Sequence, residues 1–229
     1  MLQGLGAGLS VFLAWALGRE LDPDHDPSAL FAAGFSFIGF FLWGVPGLLI
    51  LFWLLMAVRM VNRTTGLAPT ILDSLVFLGI GAWISFQGNW MVGLLTPVVF
   101  LLESFLPQGK KLHLVFAALG VVFSGGALIW KNEWWIGINF SWETGVISLF
   151  TVVILLPVIS ASRSMKSKMD KTDKGLIPVR VQAGQVLAGF FWILTGFGTG
   201  INGLLSVLPV GAAALGIGIF WIVRNIKPH

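Results

Sequence analysis

Three aspartates at alternate positions, Asp22, Asp24 and Asp26, mark the part of the chain richest in chemistry. Together with Glu20 they supply four of the ten acidic residues, within Arg19-Glu20-Leu21-Asp22-Pro23-Asp24-His25-Asp26-Pro27-Ser28. Carboxylates presented from one turn are hard oxygen donors, so this loop is a candidate site for Mg²⁺ or Ca²⁺. The same residues also read as turn chemistry. Asp26-Pro27 is a helix cap followed by proline in the first turn, and Asp22-Pro23 is similar.

A second constellation follows at Arg59-Met60-Val61-Asn62-Arg63-Thr64-Thr65-Gly66, with Asp73 one turn into the next apolar stretch. Arg59, Asn62, Arg63 and Thr64 offer charged and neutral donors of the kind that hold a phosphate or carboxylate. With the acidic loop on the same face, they could build a lipid-headgroup or prenyl-diphosphate site bridged by a metal. Against this, Arg59 and Arg63 one turn apart are also what a basic helix end looks like, and an Arg19 or Arg63 pairing with Asp22 or Asp26 would staple two loops together. Asp73 is a substrate or cation ligand, or a first-turn acid stabilised by the helix dipole with Arg63 nearby. Glu103 reads as a snorkelling acid or one paired between loops.

Other chemistries are excluded by residue type. The chain has no cysteine and no tyrosine, which removes disulfides, thiolate nucleophiles, iron–sulfur ligation and phenolic acids. His25, His113 and His229 have no metal-binding spacing between them. No cofactor is expected apart from the cation at the acidic loop.

The elements that position these residues follow from hydropathy. Of 229 residues, 56% are hydrophobic and 10% charged, with mean hydropathy +0.90; a soluble domain carries about 25% charged residues. The expectation is an all-α polytopic membrane protein forming one domain over residues 1–229. Residues 27–58 carry no charge, and as one helix they would reach about 48 Å against a hydrocarbon core of roughly 30 Å. Gly44-Val45-Pro46-Gly47 supplies the turn that divides them. Gln87-Gly88-Asn89 and the segment 198–203 divide two further stretches in the same way. Three helical hairpins and three single spans result, about nine membrane segments at 2–18, 28–43, 46–60, 69–86, 90–105, 112–130, 145–162, 183–198 and 204–224. The hairpin arms near 15 residues are short for full crossings, so re-entrant helices fit equally.

A hairpin returns to the side it left, so the loops at 19–27, 59–68, 106–111 and 163–181 share one face with the C-terminus. Thirteen of the fourteen Lys and Arg residues lie there and only Lys131 opposes them. By the positive-inside rule that face is cytoplasmic, in the plasma (inner) membrane, and the N-terminus is outside. Trp83, Trp90, Trp130, Trp134, Trp135 and Trp142 then form an outer interfacial belt. The lysine-rich 163–181 loop is expected to be mobile and attracted to anionic lipid. Small-residue spacings such as Gly4/Gly8 and Gly196/Gly200 read as helix-packing faces.

The Asp-x-Asp-x-Asp spacing differs from the paired aspartate motifs of isoprenoid-processing membrane enzymes, and the glycine–aspartate–arginine core of phosphatidyl-alcohol transferases is missing. Three functions fit the sequence: an accessory or scaffold subunit of a membrane complex, a cytoplasmic-face lipid or prenyl-phosphate enzyme, and a facilitative transporter or channel for a small solute. Membrane lipids, and a membrane-protein partner or second copy, are the expected partners; nucleic acid is not.

Overall fold

The computed structural model describes residues 2–131, 139, 141–172 and 174–226. Among them are nine α-helices: α1 (Leu2–Leu21), α2 (Asp26–Trp43), α3 (Leu48–Asn62), α4 (Ile71–Phe86), α5 (Trp90–Phe105), α6 (His113–Lys131), α7 (Trp142–Ala161), α8 (Pro178–Ser206) and α9 (Leu208–Ile226). Asp26–Trp43, His113–Lys131, Trp142–Ser164 and Pro178–Ser206 are long and apolar enough to cross a membrane. The 15 residues of α3 and the 16 of α4 and α5 reach only about 24 Å, short of a core of roughly 30 Å.

The breaks between helices have local causes. At Gly44, φ 84° and ψ −159° end α2 in a conformation that side chains with a Cβ rarely adopt. Gly88 (φ 99°) turns the chain after α4, and the Asn89 side chain accepts from Val92 N at 3.1 Å to start α5. The third break falls inside the 198–203 segment, where the sequence places it. Helix α8 is divided at Gly200, which sits outside helical geometry at φ 66° and ψ −155°, and resumes to Ser206; α9 begins at Leu208.

Helices α3 and α8 pack on each other at the centre. On one side α1, α2, α7 and α9 surround them; on the other α4, α5 and α6 form a second layer. Between the layers runs an aromatic spine in which Trp53 stacks on Phe77 (5.6 Å), Phe77 meets Phe100 edge-on (5.4 Å) and Phe100 stacks on Phe116 (5.4 Å). Burial of such rings is among the largest packing contributions a helix bundle has. The Gly4/Gly8 spacing plays no part in this packing: a Cβ at either position would have no neighbour within 4 Å.

The loops after α1, α3, α5 and α7 touch one another at one end of the bundle. Asp24 reaches the 163–177 segment, Thr64 and Thr65 hold it from a second side, and Arg63 reaches the loop after α5. The lysine-rich segment, expected as a linker, packs here on the loops after α1 and α3. Residues 167–172 and 174–176 fold back on one another through Met169 N to Lys174 O (2.8 Å) and Leu176 N to Ser167 O (3.1 Å). The segment docks by Asp170 N to Thr64 O (3.1 Å) and Ser167 Oγ to Pro23 O (2.8 Å), while Met169, Leu176 and Val181 form a small apolar cluster beneath it. These backbone bonds and buried side chains are the contacts that hold a loop in place despite its charge.

Candidate functional site

Helices α1, α3, α5 and α7 end at this face, each leaving carbonyls with no partner inside its own helix. In an apolar surround such groups must be satisfied by the protein. The first turns of α8 do most of this. Gln185 donates to Leu21 O of α1 at 2.6 Å, Gln182 to Ile159 O of α7 at 2.7 Å, and Arg180 Nη1 to Val61 O of α3 at 2.8 Å. Arg180 Nε also donates to Pro107 O, just beyond α5, at 2.8 Å. Asn62 adds a bond to Glu20 O at 2.7 Å.

A buried ionic hub completes the arrangement. Glu103, fully enclosed, receives Arg63 on one carboxylate oxygen and Arg180 Nη1 on the other, the latter at 2.7 Å. Arg63 occupies a left-handed conformation (φ 54°) after α3 and donates to Gln108 O at 2.8 Å. His113 Nδ1 stands 3.8 Å from Glu103, beyond hydrogen-bond distance. Two guanidinium ions at helix C-termini are favourably placed in the field of those ends, and one shared carboxylate offsets part of their charge. Glu103 is thus the acid paired between loops, and Arg63 is committed to structure rather than exposed to a ligand.

The acidic loop diverges. Asp22 accepts from His25 Nδ1 at 2.8 Å, and Arg224 contacts the other ring nitrogen. Because a guanidinium only donates, His25 takes the tautomer with its proton on Nδ1. Burial raises the Asp22 pKa, opposed by the bond from His25. Asp24 accepts from the backbone N–H of Ser167 (2.8 Å) and Lys166 (3.1 Å); burial pushes its pKa up, but these bonds outweigh it and hold the carboxyl below its ordinary value. Asp26 pairs with Arg19, one of the staples the sequence suggested. Among the described residues no three acidic or histidine side chains converge in a group that could hold a metal ion.

Of the anion-binding candidates, Asn62 and Thr64 are turned inward. The Thr64 hydroxyl donates to the Glu20 carboxylate at 2.9 Å. Arg59 also pairs with Glu20, at 3.0 Å through Nε, yet half its side chain remains exposed. Asp73 forms a reciprocal cap with Thr70: it accepts from Thr70 N at 2.8 Å, and Thr70 Oγ1 accepts from Asp73 N at 3.2 Å.

Two cavities flank Arg59. One, of about 670 Å³, takes Arg59 from α3, Lys110 from the loop after α5 and Lys171 from the docked hairpin, with Thr65, Thr70 and Asp73 beside them and Met56, Met60 and Leu67 as its apolar wall. The other, of about 440 Å³, lies between α1, α3 and the hairpin. Lys110 and Lys171 were visible in the sequence only as part of the charge asymmetry, and Arg180 likewise. Nothing in local spacing distinguishes them from other loop cations.

At the opposite end Trp83 and Trp90 line a shared cavity with Gly47 and Thr199, and Trp83, Trp130 and Trp142 are exposed. Trp134 and Trp135 lie outside the described residues. Comparison with protein-family models, curated proteins and solved structures finds no match to this chain.

Proposed function

We propose that the chain is a multi-pass protein of the plasma (inner) membrane that binds an anionic amphiphile, a lipid or prenyl-phosphate headgroup, at its cytoplasmic face. The observation carrying this reading is the convergence of Arg59, Lys110 and Lys171, from three separate elements, on one cavity with an apolar methionine and leucine wall. Three cations suit a phosphate, since charge-assisted bonds to its oxygens are the strong ones. The wall suits the glycerol or first methylenes of a chain. Asp73, the one carboxylate there, is engaged by Thr70 and opposes the cations least where it is capped. The excess of Lys and Arg at this end supports its cytoplasmic placement.

The accessory-subunit reading and the transporter reading have no comparable observation behind them. The test is native mass spectrometry of the detergent-extracted protein titrated with phosphatidylglycerol, phosphatidylcholine or inorganic phosphate. Phosphatidylglycerol should bind in preference to phosphatidylcholine, and a Lys110→Ala/Lys171→Ala variant should bind it about tenfold more weakly or worse, each lost charged bond being worth roughly 1.5–3 kcal/mol. Equal binding of both lipids, or an unaffected variant, overturns the reading. Binding of inorganic phosphate at similar strength would assign the site to a soluble anion instead.

A further inference from the structure

The second cavity beside Arg59 differs from the first in its charge. Arg19, Arg59 and Lys168 face Glu20, Asp26 and Asp170 around a space of about 440 Å³. Balanced charge of this kind gives no net attraction for a simple anion or a simple cation, and is complementary to a ligand carrying both signs. Arg19 pairs with Asp26 and Arg59 with Glu20 across this space, so a ligand carrying both signs would exchange these internal pairs for its own. Glu20 and Asp170 line the same space, so an ammonium placed there would face both carboxylates.

The cavity is also continuous with the apolar part of the bundle. Phe12, Trp15 and Leu55 line it together with the charged residues, and Phe12 and Trp15 are exposed on the surface of α1. Phe12 lies eight positions before Glu20 on the same helix, about 12 Å along its axis at 1.5 Å per residue. A ligand held at Glu20 therefore has an apolar slot leading away from the charged end.

From this geometry we infer a second lipid site, selective for an aminophospholipid: the primary ammonium sits between Glu20 and Asp170, the phosphate against Arg19 and Arg59, and one chain along Phe12 and Trp15. A primary ammonium brings three N–H donors to carboxylates that only accept; a trimethylated ammonium brings none. Selectivity should follow the number of N–H groups.

The experiment titrates the intact protein with phosphatidylethanolamine and its mono-, di- and trimethylated analogues by native mass spectrometry, with free phosphoethanolamine as a separate arm. Affinity should fall stepwise with methylation, by about tenfold or more overall, and free phosphoethanolamine should bind far more weakly than the lipid. Asp170→Asn should reduce phosphatidylethanolamine binding and leave phosphatidylglycerol binding unchanged; Lys110→Ala/Lys171→Ala should do the reverse. That crossed pattern separates failure of this site from failure of the anionic one. Equal affinity across the methylation series overturns the inference without any variant, as does a preference for the trimethylated lipid. Free phosphoethanolamine binding as well as the lipid would overturn its lipid part.

Discussion

Glu103 and Arg180, 77 positions apart, meet at 2.7 Å with neither side chain reaching solvent. The same guanidinium bonds Val61 O and Pro107 O, so one side chain fastens α8 to α3 and to the end of α5. Removing either partner leaves a charge buried without its counter-ion, which typically costs about 3–5 kcal/mol. Glu103→Ala and Arg180→Ala should each lower the melting temperature of the detergent-solubilised protein by many degrees. Arg180→Lys should fail nearly as badly, because an ammonium lacks the fork that reaches three acceptors. An unchanged melting temperature for Glu103→Ala would remove the hub from the account of stability.

Helix packing gives a sharper contrast. A Cβ on Gly216 would fall 2.4 Å from Ala32 N and 2.9 Å from Ala32 Cα, atoms of the α2 backbone that cannot rotate away. Gly216→Ala should therefore separate α9 from α2 and cost about 1–3 kcal/mol. Gly8→Ala meets nothing within 4 Å and should leave unfolding by denaturant within about 0.5 kcal/mol of wild type. If the two variants behave alike, the α2–α9 contact is not as close as the structure has it.

Docking of the 163–177 segment should depend on pH through Asp24. Its pKa is lowered in the native protein from 3.8 by bonds from Ser167 and Lys166, so the unfolded segment binds a proton first as pH falls. The contribution is complete well above 3.8, and declines as pH drops through 3.8 toward the lower native value. Asp22 runs the other way. Its raised pKa means that its contribution is greatest below 3.8 and diminishes as pH rises from there to the native value. Hydrogen exchange of the Ser167 amide, corrected for intrinsic rate, should show protection lost on acidification in wild type and weak at every pH in Asp24→Asn. A flat profile in wild type would contradict this.

Asp73 separates a cap from a ligand. Asp73→Ala should cost about 0.5–2 kcal/mol of stability through loss of the reciprocal bonds with Thr70. Binding of phosphatidylglycerol should persist or tighten, because a negative charge leaves a cationic cavity. Loss of binding with stability intact would return Asp73 to the ligand role.

The sequence by itself determined the helical, apolar character of the chain. Charge-free runs too long for one helix require a break, and Gly44 and Gly88 mark two of them because their positive φ angles suit glycine. It also led to the expectation that the loop cations share one face, which follows from order along the chain once three hairpins are assumed. The interior of the site was decided by tertiary structure. Arg59 and Arg63 look equivalent as sequence, yet Arg63 turns inward to Glu103 while Arg59 stays half exposed beside Glu20. Asp22, Asp24 and Asp26 look convergent, yet two prolines and three separate partners pull them apart. Lys171 reaches the cavity because Asp170 and Lys171 bond the backbone of Thr64 and Thr65, a pairing across more than a hundred residues that no local pattern records. Helix formation answers to neighbours three and four positions away. The destination of a charged side chain answers to which helix ends lie nearby with carbonyls still to satisfy, and only the packed bundle sets that.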